Sequence, residues 1–441
     1  MKKYVEIKKK INPFNKILKI EGDKSLSIRW ALLASQAKGK STSYNLLRSE
    51  DVLSTLGCLK KLGVKVKIFK NKCQIISKGL NSFNYKKNLT LNCGNSGTLA
   101  RLILGLLVHS KFKIKIKGDN SLSKRDFLRI INPLKKFGAK LKSVKGRLPV
   151  EIIGTQFARP IKFYENKGSA QVKSSIMLAA LNTEGTTFIK AKKSRDHSEN
   201  LFKSLGLKVN INKKKNFDLI SINGGKEIKS FNYNIPSDIS SSAFFIVLTL
   251  LSKNSNLKIK NVNINPTRTG VLEILKMMGV KIKIENLKII KGEKTGDLII
   301  KSQKYFKSIN CPTKFNSAAI DEFLLIFLVA AKAQGVSYFK KVSELNQKES
   351  PRLIWGSKIL NKMGIKTVLT KDSIKIFGNP NLRITNKIII KNFLKDHRVF
   401  MCSVVAGLTF GGHWKVFDKT STHTSFPSFL NKIKKLGAKI E

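Results

Sequence analysis

The sequence predicts an α/β protein of two similar domains, each holding three copies of one helix–glycine–strand unit. Three observations carry that prediction. The chain is 441 residues long, more than a single hydrophobic core usually organises, and two domains of about 200 residues are the natural division. A lysine-decorated helix end, a glycine and an alternating strand recur six times along it. Two comparable stretches, Glu21-Gly22-Asp23-Lys24-Ser25 and Asn234-Ile235-Pro236-Ser237-Asp238, each precede a new apolar helix, where the chain can cross between domains.

The six copies run in order through the chain. LKKLGVKVKI ends its helix at Gly63, LKKFGAKLK at Gly138 and LFKSLGLKVNI at Gly206. ILKMMGVKIKI follows at Gly279, ILNKMGIKTV at Gly364 and IKKLGAKI at Gly437, with spacings of 75, 68, 73, 85 and 73 residues. In each, apolar residues at steps of three and four make one helix face. Lysine in the last turn suits the negative end of the helix dipole. Glycine just past the end takes the left-handed conformation that stops a helix. The apolar period then drops to two, which marks a strand. A unit of about 70 residues exceeds a solenoid repeat and is nearer a small α/β subdomain. The expected domains are residues 21–236, and residues 1–20 together with 237–441.

Composition excludes several classes. The formal charge is +58, which would ordinarily suggest nucleic acid or an anionic membrane surface. The lysines are spread over the whole chain, even through alternations such as Val64-Lys65-Val66-Lys67-Ile68, and form no discrete basic arm. An AT-rich coding bias and a solvated lysine surface account for them. Five widely spaced cysteines with no CxxC pair give neither a zinc site nor a disulfide framework, and fit a reduced cytoplasm. The basic N-terminus has no apolar stretch after it, unlike a secretory signal. The apolar runs Ala243–Leu251 and Phe323–Ala331 are too short to span a bilayer and read as buried helices.

Arginine is the informative cation. Only 12 of the 85 basic residues are arginine. Seven lie in compact polar motifs: Arg29 in GDKSLSIR, Arg101 after CGNSGT, Arg125 in GDNSLSKR, Arg195 in SRDHSE, Arg268 in NPTR, Arg352 in KESPR and Arg398 in DHR. Arginine's planar fork of donors grips carboxylate or phosphate bidentately, whereas lysine acts as a point charge. The pattern points to a site for several anionic groups.

The motifs open apolar helices. Lys24 and Ser25 stand at a helix start after a glycine turn, a ready anion site, although an ordinary N-cap with a surface lysine would look the same. Cys93-Gly94-Asn95-Ser96-Gly97-Thr98 places two glycines where backbone can approach a ligand, but lacks the Lys-Ser/Thr of a phosphate-binding loop. Ser169, Ala170 and Gln171 head another helix and offer neutral hydrogen bonds. His197 and Glu199 lack the spacing of a helical metal pair. Asp321 and Glu322 precede a very apolar helix, as routine caps or with one of them as a general base among cations. Lys348, Glu349 and Arg352 fall within five residues.

Taken together, GDKSLSIR, CGNSGTLAR, GDNSLSKR, SAQVKSS, SRDHSE, PSDISSSAFF, NPTRTG, IDEF, KESPR, DHR and TSFPSF resemble, in order and spacing, the 3-phosphoshikimate 1-carboxyvinyltransferase family, also called 5-enolpyruvylshikimate-3-phosphate synthase. GDKS, SAQVK, RDHSE and NPTR resemble its glyphosate-tolerant class. The resemblance implies the enolpyruvyl transferase fold: two domains, each of three βαβαββ units about a pseudo-threefold axis, with the active site in the cleft between them. It implies transfer of the enolpyruvyl group of phosphoenolpyruvate to the 5-hydroxyl of shikimate 3-phosphate, with loss of phosphate through a tetrahedral intermediate. It needs no metal or organic cofactor, and implies a cytoplasmic monomer that binds neither nucleic acid nor membrane.

By similarity, Lys24, Ser25, Arg29, Ser169, Ala170, Gln171, Asp321 and Lys348 hold shikimate 3-phosphate, with Arg195 a further contact. Lys24, Asn95, Gly97, Arg125, Gln171, Arg352 and Arg398 hold phosphoenolpyruvate. Asp321 takes the hydroxyl proton, Glu349 serves the methylene carbon, and Lys24 and Lys348 stabilise developing charge. Arg101 and Arg268 receive no ligand. The first domain would hold mainly shikimate 3-phosphate, the second the base and much of the phosphoenolpyruvate site. Three positions depart from the family pattern: Asp126 stands where proline is usual, Pro351 replaces aspartate, and Asn346 replaces arginine. They put the local geometry of Arg125 and Arg352 in question. Two rivals remain open: the related transferase acting on UDP-N-acetylglucosamine, and a basic nucleic-acid-binding protein, which would give Asp321 and Glu349 no task.

Overall fold

Six helices of this chain are apolar on nearly every face, and a helix of that kind must be enclosed. In the computed structural model they form the inner layers of two units. Lys24–Ala34, Gly97–Leu106 and Ala170–Leu181 line the core of one; Ile239–Leu251, Phe323–Lys332 and His397–Phe410 line the core of the other. The structure describes residues 3–441, so Met1 and Lys2 of the expected 1–20 segment lie outside the described residues. By internal contacts, one unit comprises Glu21–Pro236 and Ile289–Glu293. The other comprises the residues up to Ile20, Ser237–Lys288 and Lys294–Glu441.

Each inner helix is the first long helix of a repeat unit, and three of these units run in the order βαβαββ along the chain. In the clearest, the strand Leu89–Asn92 leads through the helix Gly97–Leu106 to a parallel strand, Ile114–Lys117. An amphipathic helix, Leu128–Lys136, then leads into the hairpin Lys140–Val144/Arg147–Ile153, whose second strand pairs antiparallel with Ile114–Lys117. The same order recurs from Lys162–Glu165 and from Asn310–Cys311. The described residues hold six such small sheets.

Three sheets are completed by strands distant in sequence. Asn232–Asn234 pairs with Ala37–Tyr44, Asn15–Lys19 with Asn256–Asn263, and Tyr4–Ile7 with His413–Phe417. Tyr4–Ile7 and Asn15–Lys19 therefore belong to sheets formed mainly by the second half of the chain.

The repeat glycines behave as their sequence context predicts. Gly63, Gly138, Gly206, Gly279, Gly364 and Gly437 all have positive φ, between 69° and 106°. Five are followed by a strand. The sixth is not: Ala438–Glu441 is irregular, and Glu441 exchanges two backbone hydrogen bonds with Glu6 instead.

Candidate active site

The N-terminus of each inner helix carries backbone N–H groups that its own turns leave unpaired and the positive end of the dipole. Polar motifs sit at each of those ends.

In the unit of residues 21–236, Asp23 caps the first helix by accepting from the Leu26 amide. The next residue, Lys24, is partly exposed and pairs with Asp51 at 2.9 Å. One turn on, Arg29 is buried. Its Nε donates to Ser198 Oγ (2.9 Å), its Nη2 to Ser174 Oγ (3.0 Å) and its Nη1 to the Ser25 carbonyl (3.2 Å). Burial pushes this guanidinium down to about 10; Glu199, Asp23 and Glu293 oppose the shift and Arg195 adds to it. Arg29 is thus fully charged at neutral pH.

Ser169 caps the helix Ala170–Leu181 through the Val172 amide, and Gln171 lies in its first turn. Gln171 Oε1 accepts from Arg101 (2.8 Å), while its Nε2 donates to Thr98 (3.1 Å). Arg101 therefore orients Gln171, a task that its motif alone did not reveal. The helix after the glycine loop starts at Gly97, two residues before its apolar run, because Ser96 caps it through the Leu99 amide. A methyl on Gly97 would lie 2.8 Å from Arg101 Nη1 and 3.1 Å from Arg125 Nη1. Asn95 accepts from Arg125 (3.3 Å) and donates to Asp119 (2.7 Å). Asp126 spends one carboxylate oxygen on the Leu128 amide, 2.8 Å away.

In the second unit, Asp321 and Glu322 are not helix caps: Glu322, at the N-cap position, makes no capping bond. Asp321 instead faces three cations, with Arg352 Nη1 at 3.4 Å and Lys348 Nζ and Arg398 Nε each at 3.9 Å. Its carbonyl also accepts from Arg398 Nη1 at 2.9 Å. Arg268 braces the neighbouring helix end, donating to Ser240 (2.7 Å), whose hydroxyl donates to Glu322.

Arg352 is almost wholly buried, 1% exposed. It holds Asp396 bidentately, Nε to Oδ2 at 2.9 Å and Nη2 to Oδ1 at 3.2 Å, and it also donates to Glu349. Burial works against both charges. The Asp396 and Glu349 carboxylates more than offset it and hold Arg352 above its ordinary range. Asp396, likewise buried, is held below the usual carboxylate range chiefly by Arg352. Asn346 accepts from the Leu353 and Ile354 amides (3.1 and 3.4 Å) and thereby serves the start of the helix Arg352–Lys362, where Pro351 makes no capping bond. Both departures from the family pattern are absorbed locally.

Sequence reasoning missed Asp51, Ser174, Ser198 and Asp396 as partners of site residues. Ser174, Ser198 and Asp396 lay inside quoted motifs but had no assigned task. Asp51 lay in no motif.

A family described as EPSP synthase (3-phosphoshikimate 1-carboxyvinyltransferase) matches residues 8–433. The 3-phosphoshikimate 1-carboxyvinyltransferase of Ruthia magnifica subsp. Calyptogena magnifica is 39% identical over 438 residues, 98% of each chain. That of Petrotoga mobilis is 36% identical over 426 residues, 96% of this chain and 97% of its own. Among solved structures, an EPSP synthase from Acinetobacter baumannii matches with TM-score 0.88 at 35% identity, covering 99% of both chains. The enolpyruvyl transferase NikO from Streptomyces tendae matches with TM-score 0.77 at 14% identity, covering 99% of this chain and 98% of its own, a likeness of fold alone.

Proposed function

The chain belongs to the EPSP synthase (3-phosphoshikimate 1-carboxyvinyltransferase) family, and from that premise we propose how its residues divide the reaction. The enzyme moves the carboxyvinyl group of phosphoenolpyruvate to the 5-hydroxyl of shikimate 3-phosphate and releases phosphate. Each substrate carries a phosphate and a carboxylate, and the arginines spared from the lysine bias answer those charges.

Shikimate 3-phosphate is held by Ser25, Arg29, Ser169, Ala170, Gln171, Lys348 and Arg195. Phosphoenolpyruvate is held by Lys24, Gly97, Arg125, Gln171, Arg352 and Arg398, with Asn95 orienting Arg125. Asp321 is the base. It removes the 5-hydroxyl proton as the oxygen bonds to C2 of phosphoenolpyruvate, while Glu349 delivers a proton to C3. In the second half Glu349 takes a proton back from C3 as the C2–O bond to phosphate breaks. Lys24 and Lys348 offset the charge that develops, each such preorganised donor being worth a few kcal/mol.

The observation that carries this reading is the Asp321 carboxylate within 4 Å of three cations, two of them arginines suited to a carboxylate or phosphate. An anionic substrate that engages Arg352 and Arg398 withdraws them from Asp321, which is then freer to accept a proton. Base and substrate site are thereby linked.

Phosphate release tests it. Release is expected with phosphoenolpyruvate plus shikimate 3-phosphate and not with UDP-N-acetylglucosamine as acceptor. Asp321→Asn should lower kcat by about a hundredfold or more while phosphoenolpyruvate binding persists. Turnover near wild type in that variant would remove Asp321 as the base. We also infer a monomer acting in the cytoplasm. Every proposed site residue comes from one chain, and all five cysteines are free thiols. Among the described residues no helix is long and apolar enough to cross a membrane. A sedimentation mass near 49.4 kDa is the expected result for the monomer.

A further inference from the structure

The hairpin of strands Ile282–Ile290 and Glu293–Lys301 turns through Lys291 and Gly292, with φ of 49° and 78°. Two successive positive φ values make a tight two-residue turn. The turn segment, Ile289–Glu293, groups by contacts with residues 21–236, although it is remote from them in sequence. A methyl on Gly292 would lie 2.8 Å from the Asn200 carbonyl oxygen, so the turn is seated directly on the helix His197–Ser204.

Glu293 is only 1% exposed. Its Oε1 meets His197 Nδ1 at 2.9 Å and accepts from Asn200 Nδ2 at 3.3 Å. His197 and Asn200 are three apart and share one face of the helix. The residues between them serve other partners: Ser198 accepts from Arg29 (2.9 Å) and donates to Ser174 (2.7 Å), and Glu199 pairs with Lys173 at 2.5 Å in the core. The helix has eight residues, and Asp196 at its N-cap makes no capping bond. Its first turn is therefore oriented by side chains, and Glu293 holds two of them. Burying a carboxylate is costly, and an apolar turn could dock there without that penalty.

We propose that Glu293 is a positioning residue for shikimate 3-phosphate: through His197 and Asn200 it fixes the helix whose Ser198 aims the Arg29 guanidinium. Glu293 touches no substrate. It acts on the orientation of a residue that does, and the inference rests on the assignment of Arg29 made above.

Steady-state kinetics and calorimetric binding of Glu293→Gln test it. The isostere keeps the shape and removes the charge. The KM and Kd for shikimate 3-phosphate are expected to rise about five- to tenfold, with the KM for phosphoenolpyruvate within about twofold of wild type. Gly292→Ala, which must lift the turn from Asn200, is expected to show the same split and serves if the first variant does not fold. An unchanged shikimate 3-phosphate KM overturns the proposal. So does an equal rise in both KM values, which marks general loosening. Failure of the underlying reading looks different: the wild-type enzyme would then release no phosphate from the two substrates.

Discussion

Gly97 lacks a side chain because two guanidinium groups occupy the space that a methyl would need. Its Cβ would fall 2.8 Å from Arg101, closer than real Cβ contacts allow, and 3.1 Å from Arg125, tighter than most of them. Gly97→Ala is expected to raise the KM for phosphoenolpyruvate about tenfold by displacing Arg125, and to leave that for shikimate 3-phosphate nearly unchanged. Glyphosate, bulkier than the substrate it mimics, should lose more affinity than phosphoenolpyruvate does. Equal inhibition constants for wild type and variant would contradict this. At this scale the sequence was legible where chemistry is local. A glycine before an apolar helix and an arginine spared from replacement by lysine both announce themselves. The partners Asp51 and Glu293 did not, because an acid without a motif looks like any surface residue until the fold gives it a neighbour.

Helix ends form the next scale, and the carboxylates at those ends do different work. Asp23, Asp119, Asp238 and Asp396 accept from backbone amides as caps. Glu322, at a helix N-cap, makes no capping bond and accepts from a hydroxyl, and Asp321 beside it faces cations. Sequence marks an acid near a helix start, but the cap is decided by backbone angles that only the fold fixes. Asp396 does two tasks, capping one helix and anchoring buried Arg352. Asp396→Asn leaves that guanidinium without its bidentate partner and should cost about 3 kcal/mol or more, with phosphoenolpyruvate affinity falling as Arg352 loosens. The folded pKa of Asp396 is depressed. Its contribution is therefore complete above the ordinary carboxylate range and is lost as pH falls through the folded value. Thermal melts should accordingly show a smaller penalty for Asp396→Asn at about pH 3 than at pH 7; a pH-independent penalty would contradict the assignment.

For the molecule as a whole, the repeats were readable because helix, glycine and strand recur with local signals. The strand partners contributed by Tyr4–Ile7, Asn15–Lys19 and Asn232–Asn234 were not, since pairing across hundreds of residues leaves no local mark. The net charge of +58 is a property of the same scale. Both substrates are multiply anionic, so the field raises encounter rates at low salt and is screened beyond about 10 Å near 0.1 M. The kcat/KM for phosphoenolpyruvate should fall about threefold or more between about 20 and 300 mM potassium chloride, with kcat much less affected. A flat profile would show that lysines on the surface contribute nothing to capture. The borrowed strands also set a timetable. The strands Tyr4–Ile7 and Asn15–Lys19 are made long before their sheet partners, which lie in His413–Phe417 and Asn256–Asn263. At about 5–20 residues per second, Asn15–Lys19 waits on the order of ten seconds or more for its neighbour, during which residues 21–236 can fold. The last piece of that earlier unit, Glu293, also arrives late, so the helix His197–Ser204 can form early yet gains its buried carboxylate partner only later.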